Sequence, residues 1–294
     1  MILRVNTPIL KEPTKLVAIV VPLSKRPTLT PDEQISLRHA AHYFSRYDKY
    51  LVAPAEASFE HPGFEMKLFA TKFFGSIAAH ARMVTAPLFY EAFADYKYIL
   101  MYHLDSLALS DQLEQWCQTG LDYIGPPWIN CPDSPWVKRE RVGNSGFALM
   151  KVQSFLKVLY SPKPSVDPNQ YWHEQYGSKP KYIQYLNLPK RFLKRLRIFN
   201  SSRFHMFRWL QSRSEADIFW SDEAVHYYPE FKIADVATGL RFAFEVSPRL
   251  CFERNQRQLP FGCHAWPRYD RTFWEPYLLK EDPAQNGKPI ATGK

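Results

Sequence analysis

Three apolar runs in the first third of the chain predict buried strands, with helical patterns between them. The runs cover residues 16–21, 50–53 and 97–102. Continuous apolar runs of this length are typical of strands that are buried on both faces of a sheet. Apolar positions at helical spacing predict helices from about residue 30 to 44 and from about 76 to 93. This alternation predicts the βαβ order of a parallel sheet.

The start of the first helix is marked by the residues that favour helix initiation. Thr30 is a suitable N-cap, Pro31 follows at the first helical position, and Asp32 and Glu33 place acids in the first turn. Each of these residue types stabilises the amino-terminal end of a helix. We therefore expect this helix to begin directly after Thr30.

Beyond residue 105 the pattern predicts shorter elements. A helix is expected at about 110–118 and a short strand within DYIGPPW at 122–128. Helical patterning returns at 217–220 and 233–244, and a loop bounded by Pro260 and Gly262 then presents His264. The chain therefore mixes helices and strands throughout, which is typical of an α/β fold.

A glycine-containing turn precedes another apolar strand. Residues 142–150 read VGNSGFALM, with Gly143 and Gly146 on either side of Asn144 and Ser145. Glycines in such a place indicate either that the backbone approaches another group closely or that it forms an ordinary tight turn. The pattern alone leaves both interpretations open.

Composition indicates a folded protein with a large core. The 294 residues include 46% hydrophobic and 16% aromatic residues, which excludes wholesale disorder. There is no apolar run of the roughly 20 residues needed to span a bilayer, and the first 17 residues lack the core of a secretion signal. We expect one domain over residues 1–280, a disordered polar tail at 281–294 and a cytoplasmic location.

The four cysteines favour a reduced protein. They are scattered without a C-x-x-C pair, which argues against a zinc module or a disulfide framework. The formal net charge of +9 favours anionic partners, such as nucleotides, phospholipid headgroups or nucleic acid. Charge alone does not choose among them.

Residues 161–214 differ from the rest of the chain. They are rich in Pro, Tyr, Lys and Arg, and we expect an insertion or subdomain that wraps on the core. Between residues 190 and 199, basic and apolar side chains alternate, so a helix there would carry a cationic and an apolar face. Such a surface can be an ordinary solvated face, can lie on an anionic membrane, or can contact nucleic acid.

The candidate chemistry is concentrated where the third predicted strand ends. His103 and Asp105 follow the apolar run directly and are two residues apart, which puts both side chains on the same side of extended backbone. The ligand crevice of an open α/β sheet lies beyond the carboxyl ends of its strands. The pair can therefore deliver a metal ligand to that edge. Alternatively, His103 is a hydrogen-bonded edge residue and Asp105 caps a turn.

Five segments in chain order resemble the nucleotide-sugar glycosyltransferases of the GT-A fold. More narrowly, they resemble a little-characterised microbial family that is catalogued as a domain of unknown function. The segments are residues 99–106, DYIGPPW, VGNSGFALM, the helix start at 217–219, and PFGCHAW at 260–266. The resemblance covers residues 16–278 and implies a GT-A-like single domain, with a Rossmann-like, mostly parallel central sheet flanked by helices.

The resemblance implies a divalent cation at the donor diphosphate. Asp105 stands in the place of the last carboxylate of the metal motif, and His264 in that of the late histidine that completes the metal shell. Mn²⁺ or Mg²⁺ suits these ligands and phosphate. His103 stands where many such enzymes carry the first aspartate of the motif. It would ligate a softer ion, contact the ribose, or do neither.

The resemblance also implies which residues contact the acceptor and which contact the donor. Asp217 corresponds to the general base, although Ala216 replaces the first acid of the expected pair, and capping of a helix is the alternative for Asp217. Residues 161–214 would lie on the acceptor side. The remaining implied donor or acceptor contacts are Val21, Pro22 and Leu23 for the nucleoside base, Lys72 for phosphate, and Gly143, Asn144 and Gly146 beneath the sugar or acceptor.

The leading hypothesis is a metal-dependent, inverting glycosyltransferase of polysaccharide biosynthesis. It would move a sugar from a nucleoside diphosphate, expected to be UDP, to a hydroxyl of a glycan or lipid-linked glycan, with peripheral contact at the inner face of the membrane. Trp128, Trp220 and Trp266 are candidates for stacking on sugars or for the core. The alternative is a non-catalytic nucleotide- or glycan-binding module, and a nucleic-acid-binding protein is disfavoured.

Overall fold

The computed structural model describes residues 11–280 apart from 27, 59 and 214. The predicted tail at 281–294 and most of the segment examined for a secretion signal lie outside the described residues. The strands are β1 (Lys15–Pro22), β2 (Asp48–Pro54), β3 (Glu65–Phe69), β4 (Tyr96–Tyr102), β5 (Leu107–Ala108), β6 (Tyr123–Ile124), β7 (Pro127–Trp128), β8 (Arg141–Val142), β9 (Phe147–Lys151), β10 (Ala243–Phe244) and β11 (Gly262–Cys263).

Helices connect these strands and cover the sheet. They are α1 (Pro31–Tyr43), α2 (Ile77–Val84), α3 (Pro87–Glu91), α4 (Leu113–Gln118), α5 (Val152–Leu159), α6 (Pro168–Tyr176), α7 (Lys181–Leu193), α8 (Ser202–Arg213), α9 (Ala216–Asp222), α10 (Ala224–Tyr227), α11 (Val236–Phe242), α12 (Pro248–Arg254) and α13 (Arg271–Trp274). Among the described residues, no helix has both the length and the apolar character needed to cross a membrane.

The central sheet has six strands in the order β3-β2-β1-β4-β9-β6. The first four are parallel, whereas β9 runs antiparallel to both β4 and β6. This architecture confirms the predicted α/β fold with a mostly parallel central sheet flanked by helices. Since β9 is antiparallel to β4, the chain that enters β9 lies beside the chain that leaves β4.

The apolar runs of β1 and β4 are buried on both faces, as their sequences predict. Ala18, Val20 and Ile99 belong to one core, which also holds Met83 and Phe155 from helices. Alternate positions, including Val17, Ile19, Leu100 and Tyr102, belong to a second core with Leu37 of α1 and Phe242 of α11. Side chains of a strand alternate between its faces, so a strand between two helical layers needs apolar residues at every position.

A second, small sheet joins the carboxy-terminal part of the protein to the end of β4. Its order is β10-β11-β5, with β11 parallel to β10 and antiparallel to β5. The prediction of a helix over 233–244 is wrong at its end, because α11 stops at Phe242 and Ala243–Phe244 forms β10. The pairing of Phe244 with Cys263 places the residues that follow both strands next to each other.

Helix boundaries follow local chemistry. The predicted start of α1 is confirmed, because the Thr30 hydroxyl accepts from the backbone N–H of Glu33, and the Glu33 carboxylate accepts from the N–H of Thr30. The single helix expected over 76–93 is instead α2 and α3. Pro87 begins α3 and holds Ala86 in an extended conformation, so the two helices cannot be continuous.

Residues 161–213 are largely helical. Helix α8 packs against α2, α5 and α9, and the side chain of Met206 reaches the first core. Helix α7, by contrast, has no buried residue. That the segment is an insertion on a single domain stays a prediction. The four cysteines are all free and buried.

The contribution of the first core to stability can be tested at Phe155. Phe155 is fully buried, and its ring centroid lies 4.4 Å from that of Trp220. We expect Phe155→Ala to lower the free energy of unfolding by about 3–5 kcal/mol, because it removes a large apolar side chain and leaves a cavity. Urea denaturation measures this loss. Phe207→Ala, at a side chain that is 57% exposed, is the control and should change stability by less than about 0.5 kcal/mol. Equal effects would contradict the assigned burial.

Candidate functional site

A cleft of about 910 Å³ opens at the carboxyl edge of the parallel strands. Its wall is made by the loop after β1, the loop after β4, the start of α2, the glycine turn before β9, and the start of α9. The lining residues include Pro22, Leu23, Lys25, Arg26, Ser76, Ile77, His80, His103, Asp105, Ser145, Glu215 and Asp217. Three of the five sequence segments noted above therefore contribute directly to one cleft.

The antiparallel pairing of β4 and β9 sets the geometry of this edge. Tyr102 pairs with Phe147, and the backbone N–H of His103 donates to the carbonyl of Gly146 at 2.8 Å. The Ser106 hydroxyl donates to the same carbonyl at 3.0 Å. These bonds hold the chain after β4 against the turn before β9.

The glycines of this turn allow a close approach, not merely a tight turn. A Cβ on Gly146 would lie 2.1 Å from Nε2 of His264, and one on Gly143 would lie 2.3 Å from the Trp128 ring and from Oγ of Ser221. Neither glycine has a positive φ. The glycines are therefore required by the neighbouring side chains and not by the backbone conformation.

The small sheet places His264 between two carboxylates, one of which, Asp105, lines the cleft. Nε2 of His264 lies 3.3 Å from Oδ1 of Asp105, and Nδ1 lies 3.1 Å from Oε1 of Glu245. Glu245 follows β10 and His264 follows β11, so the parallel pairing of these strands explains why they meet. The Glu245 carboxylate also accepts from the side-chain amide of Asn144 at 2.8 Å. His264 is only 13% exposed, whereas Asp105 is 47% exposed.

His103, Asp105 and His264 form a group that could hold a metal ion, since each offers one ligand atom and these atoms lie within 4.8 Å of one another. Nε2 of His103 is buried and has no hydrogen-bond partner among the described residues. A buried polar atom without a partner is costly. Coordination to a cation would satisfy it, so these residues fit a metal site.

Protonation differs between the two histidines. Burial, together with the neighbouring His80 and His264, lowers the pKa of His103 to about 3, so His103 is neutral and able to ligate a metal. Burial also disfavours the charged form of His264, but its hydrogen bonds to Asp105 and Glu245 outweigh that effect and raise the pKa of His264 to about 10. Metal binding at His264 therefore has to displace a proton.

Asp217 lies in the first turn of α9 and faces the cleft. Its carboxylate accepts hydrogen bonds from the hydroxyl and, at 3.3 Å, from the backbone N–H of Ser145. Among the described residues it does not bond to the first amides of α9, so its geometry is not that of a helix cap. Burial raises the pKa of Asp217 to about 6, although the two bonds from Ser145 oppose that shift.

The residues implied for the donor are not all at the cleft. Pro22 and Leu23 line it, whereas Val21 is fully buried within β1. Lys72 is not among the lining residues, and its ammonium lies 5.3 Å from the ring centroid of Phe73. The basic side chains that do line the cleft are Lys25 and Arg26.

The tryptophans divide between core and surface. Trp220 and Trp266 are fully buried, so they belong to the core and are not available to stack on a sugar. Trp128 is partly buried, and the guanidinium of Arg141 lies 4.8 Å from its ring centroid.

Sequence reasoning missed five residues at the site. Glu245 binds His264, Ser145 binds Asp217, Lys25 and Arg26 line the cleft, and the ring of His80 lies 5.0 Å from that of His103. Glu245 had a usable signal, because it follows an apolar run just as His103 does. His80 had none, since it lies within an ordinary helical pattern.

Residues 63–264 match the family described as a protein of unknown function, DUF5672. The chain belongs to this family. No curated protein matches it. Among solved structures, the galactosyltransferase LgtC, determined in complex with donor and acceptor sugar analogues, is similar over 92% of this chain and 99% of its own, with 11% identity and a TM-score of 0.42.

A second solved structure is similar over a smaller part. The bifunctional IspDF from Campylobacter jejuni aligns with 49% of this chain and 43% of its own, with 8% identity and a TM-score of 0.31. The chain thus spans less than half the length of IspDF.

The geometry of the histidine and aspartate group predicts metal binding that depends on His103. We expect His103→Ala to weaken Mn²⁺ binding roughly tenfold or more, because it removes a neutral imidazole from the group. Titration calorimetry with MnCl₂ measures the change. The control is His226→Ala, since His226 lies outside the cleft and is only partly buried. Equal Mn²⁺ affinity in both variants would exclude His103 as a ligand.

Proposed function

We propose that this protein is a metal-dependent, inverting glycosyltransferase that moves a sugar from a nucleoside diphosphate, specifically UDP, to a hydroxyl of a glycan. One observation supports the proposal: His103 and Asp105, which form a group with His264 that could hold a metal ion, line one cleft together with the cations Lys25 and Arg26 and the buried carboxylate of Asp217. These are the groups needed at the diphosphate and at the acceptor hydroxyl. The cleft volume of about 910 Å³ also suits a ligand of nucleotide-sugar size.

His103, Asp105 and His264 would hold the cation. When bound, it would act as a Lewis acid that stabilises negative charge on the departing diphosphate. Two imidazoles and one carboxylate are a donor set that suits Mn²⁺ better than Mg²⁺, because Mg²⁺ prefers oxygen ligands. We therefore propose Mn²⁺ as the cofactor.

The donor would bind along the loop after β1. Pro22 and Leu23 offer apolar contact to the nucleoside base at the start of this loop, and Lys25 and Arg26 lie further along it. Arg26 is held by an ion pair with Glu33 at 2.5 Å. These two cations line the same cleft as His103 and Asp105 and would supply positive charge to a bound diphosphate.

Asp217 would be the general base. It would take the proton of the acceptor hydroxyl as that oxygen attacks the anomeric carbon and the bond to the diphosphate oxygen breaks. The serine that orients Asp217 belongs to the turn that also supports His264, so the base and the metal group share one frame. Attack by the acceptor from the face opposite the diphosphate inverts the anomeric centre.

The free state of the cysteines supports a proposal for the cellular compartment. All four are free and buried, which is the usual state of cysteines in a reducing environment. We therefore place the proposed activity in the cytoplasm.

The donor site is tested by thermal unfolding with nucleoside diphosphates, each with and without MnCl₂. We expect UDP with Mn²⁺ to stabilise the protein by roughly 2.7 kcal/mol at a hundred times its Kd, a rise in Tm of several degrees. Asp105→Ala should abolish the rise because the metal group is lost. Asp111→Ala, at an exposed aspartate six residues later, should keep it. No rise with any nucleotide would exclude a nucleotide-sugar enzyme.

The base is tested by the pH dependence of transfer. Because Asp217 acts when deprotonated and its pKa is about 6, we expect the rate to rise with pH through about 6 and then level off. Asp217→Asn should lower the rate by roughly 10²–10⁴-fold without weakening UDP binding. Asp222→Asn, at the end of the same helix, is the control. A normal rate in Asp217→Asn would assign the base elsewhere.

One observation favours a second candidate, a non-catalytic nucleotide-binding module. Both ring nitrogens of His264 already lie near carboxylates, so the ion pair is complete without a cation. Such a module would bind UDP equally with and without Mn²⁺ and would neither hydrolyse nor transfer sugar from any donor. Metal-independent binding without turnover would select this candidate.

A further inference from the structure

The excess of positive over negative charge lies in one stretch, residues 179–213, which we name the basic segment. It contains ten Lys and Arg residues and no Asp or Glu. The rest of the chain has 28 Lys and Arg against 29 Asp and Glu, so it is almost neutral. The formal net charge of +9 therefore belongs to the basic segment alone.

The basic segment also exposes large apolar side chains. Helix α7 has no buried residue, and Leu186 and Ile198 are 75% and 71% exposed. Of the 17 large apolar side chains that are exposed among the described residues, eight lie in this segment: Tyr182, Tyr185, Leu186, Phe192, Leu193, Leu196, Ile198 and Phe207. Concentration of exposed apolar side chains in one segment of a protein indicates an interaction site.

The cations of this surface are not neutralised by the protein. Lys190 contacts the hydroxyl of Tyr176, Arg191 donates to Asn169, and the guanidinium of Arg195 lies 5.4 Å from the ring centroid of Phe192. Within the described part of the chain, no cation from Lys179 to Arg208 pairs with a carboxylate. These cations are therefore free to pair with an anionic partner.

We propose that the basic segment binds the surface of an anionic lipid bilayer. Exposed cations interleaved with aromatic and aliphatic side chains are what a helix needs to lie at the headgroup boundary of such a membrane. Nucleic acid fits less well, because single strands are bound through aromatic stacking and cations. The aliphatic Leu186, Leu196 and Ile198 would contribute nothing to stacking, whereas they gain free energy on entering a bilayer.

The position of this surface relates it to the cleft. Helix α8, the last part of the basic segment, packs against α2 and α9. Those two helices supply Ile77, His80 and Asp217 to the cleft wall. Bilayer binding would therefore hold the cleft near the headgroups, where a lipid-linked glycan presents its hydroxyls. This last step rests on the proposed function, whereas bilayer binding does not.

Sedimentation of the full chain with vesicles tests the proposal without nucleotide or metal. We expect binding to an equimolar mixture of phosphatidylcholine and phosphatidylglycerol, and none to phosphatidylcholine alone. Added salt should weaken the binding. Arg195→Glu with Arg197→Glu should reduce it by roughly tenfold or more. Lys138→Glu with Arg139→Glu, at exposed cations outside the segment, is the matched control and should keep most of the binding.

The apolar contribution distinguishes a membrane from nucleic acid. Leu196→Ser with Ile198→Ser should reduce vesicle binding roughly fivefold or more, whereas Trp136→Ser, at a 70% exposed side chain elsewhere, should leave it unchanged. Failure to bind the mixed vesicles would overturn the proposal, as would binding to a single-stranded oligonucleotide that exceeds vesicle binding and survives the Leu196 and Ile198 changes. Vesicle binding without any nucleotide effect would overturn the proposed enzyme alone.

Discussion

The candidate site depends on the two ion pairs that the imidazole of His264 makes, one with Asp105 and one with Glu245. The imidazole links three segments that are distant in sequence: the loop after β4, the residue after β10 and the residue after β11. The pair of His264 with Glu245 is mostly buried, and a buried pair is stable only when its remaining polar atoms are also hydrogen-bonded. Here Asn144 completes the shell of Glu245, so the glycine turn is part of the same network. The network fixes the positions of Asp105 and His264 relative to each other.

The central sheet provides the frame for this network. Parallel strands end at one edge, and the antiparallel strand β9 brings its preceding turn to the same edge. The turn packs closely against the His264 ring because Gly146 has no side chain. Ser145 in the same turn orients Asp217 through a hydrogen bond. His103 and Asp105 of the metal group and the Asp217 carboxylate of raised pKa therefore line one cleft, although they derive from different elements. The site is therefore assembled by the pairing of strands more than by any single sequence motif.

Charged groups are arranged differently at the cleft and on the basic segment. Around the cleft, histidines and carboxylates are paired or buried, so charge there is localised at a few atoms. On the basic segment, cations stay exposed and unpaired with carboxylates among the described residues. The first arrangement suits binding of one small anionic ligand in fixed geometry. The second, which includes a helix without buried residues, suits a broad anionic surface that requires no fixed geometry.

The sequence by itself determined the α/β class, the buried strands β1, β2 and β4, the start of α1, and the convergence of His103 and Asp105 on one edge, because these depend on local periodicity and on neighbours in the chain. It did not determine that Glu245 would join His264, that Lys25 and not Lys72 would line the cleft, or that Trp220 and Trp266 would be buried. Strand β10 was expected to be helical, since its two residues continue the pattern of α11. Only tertiary pairing with β11 made them a strand. Contacts between residues far apart in the chain leave no periodic signal, and the site is built mainly from such contacts.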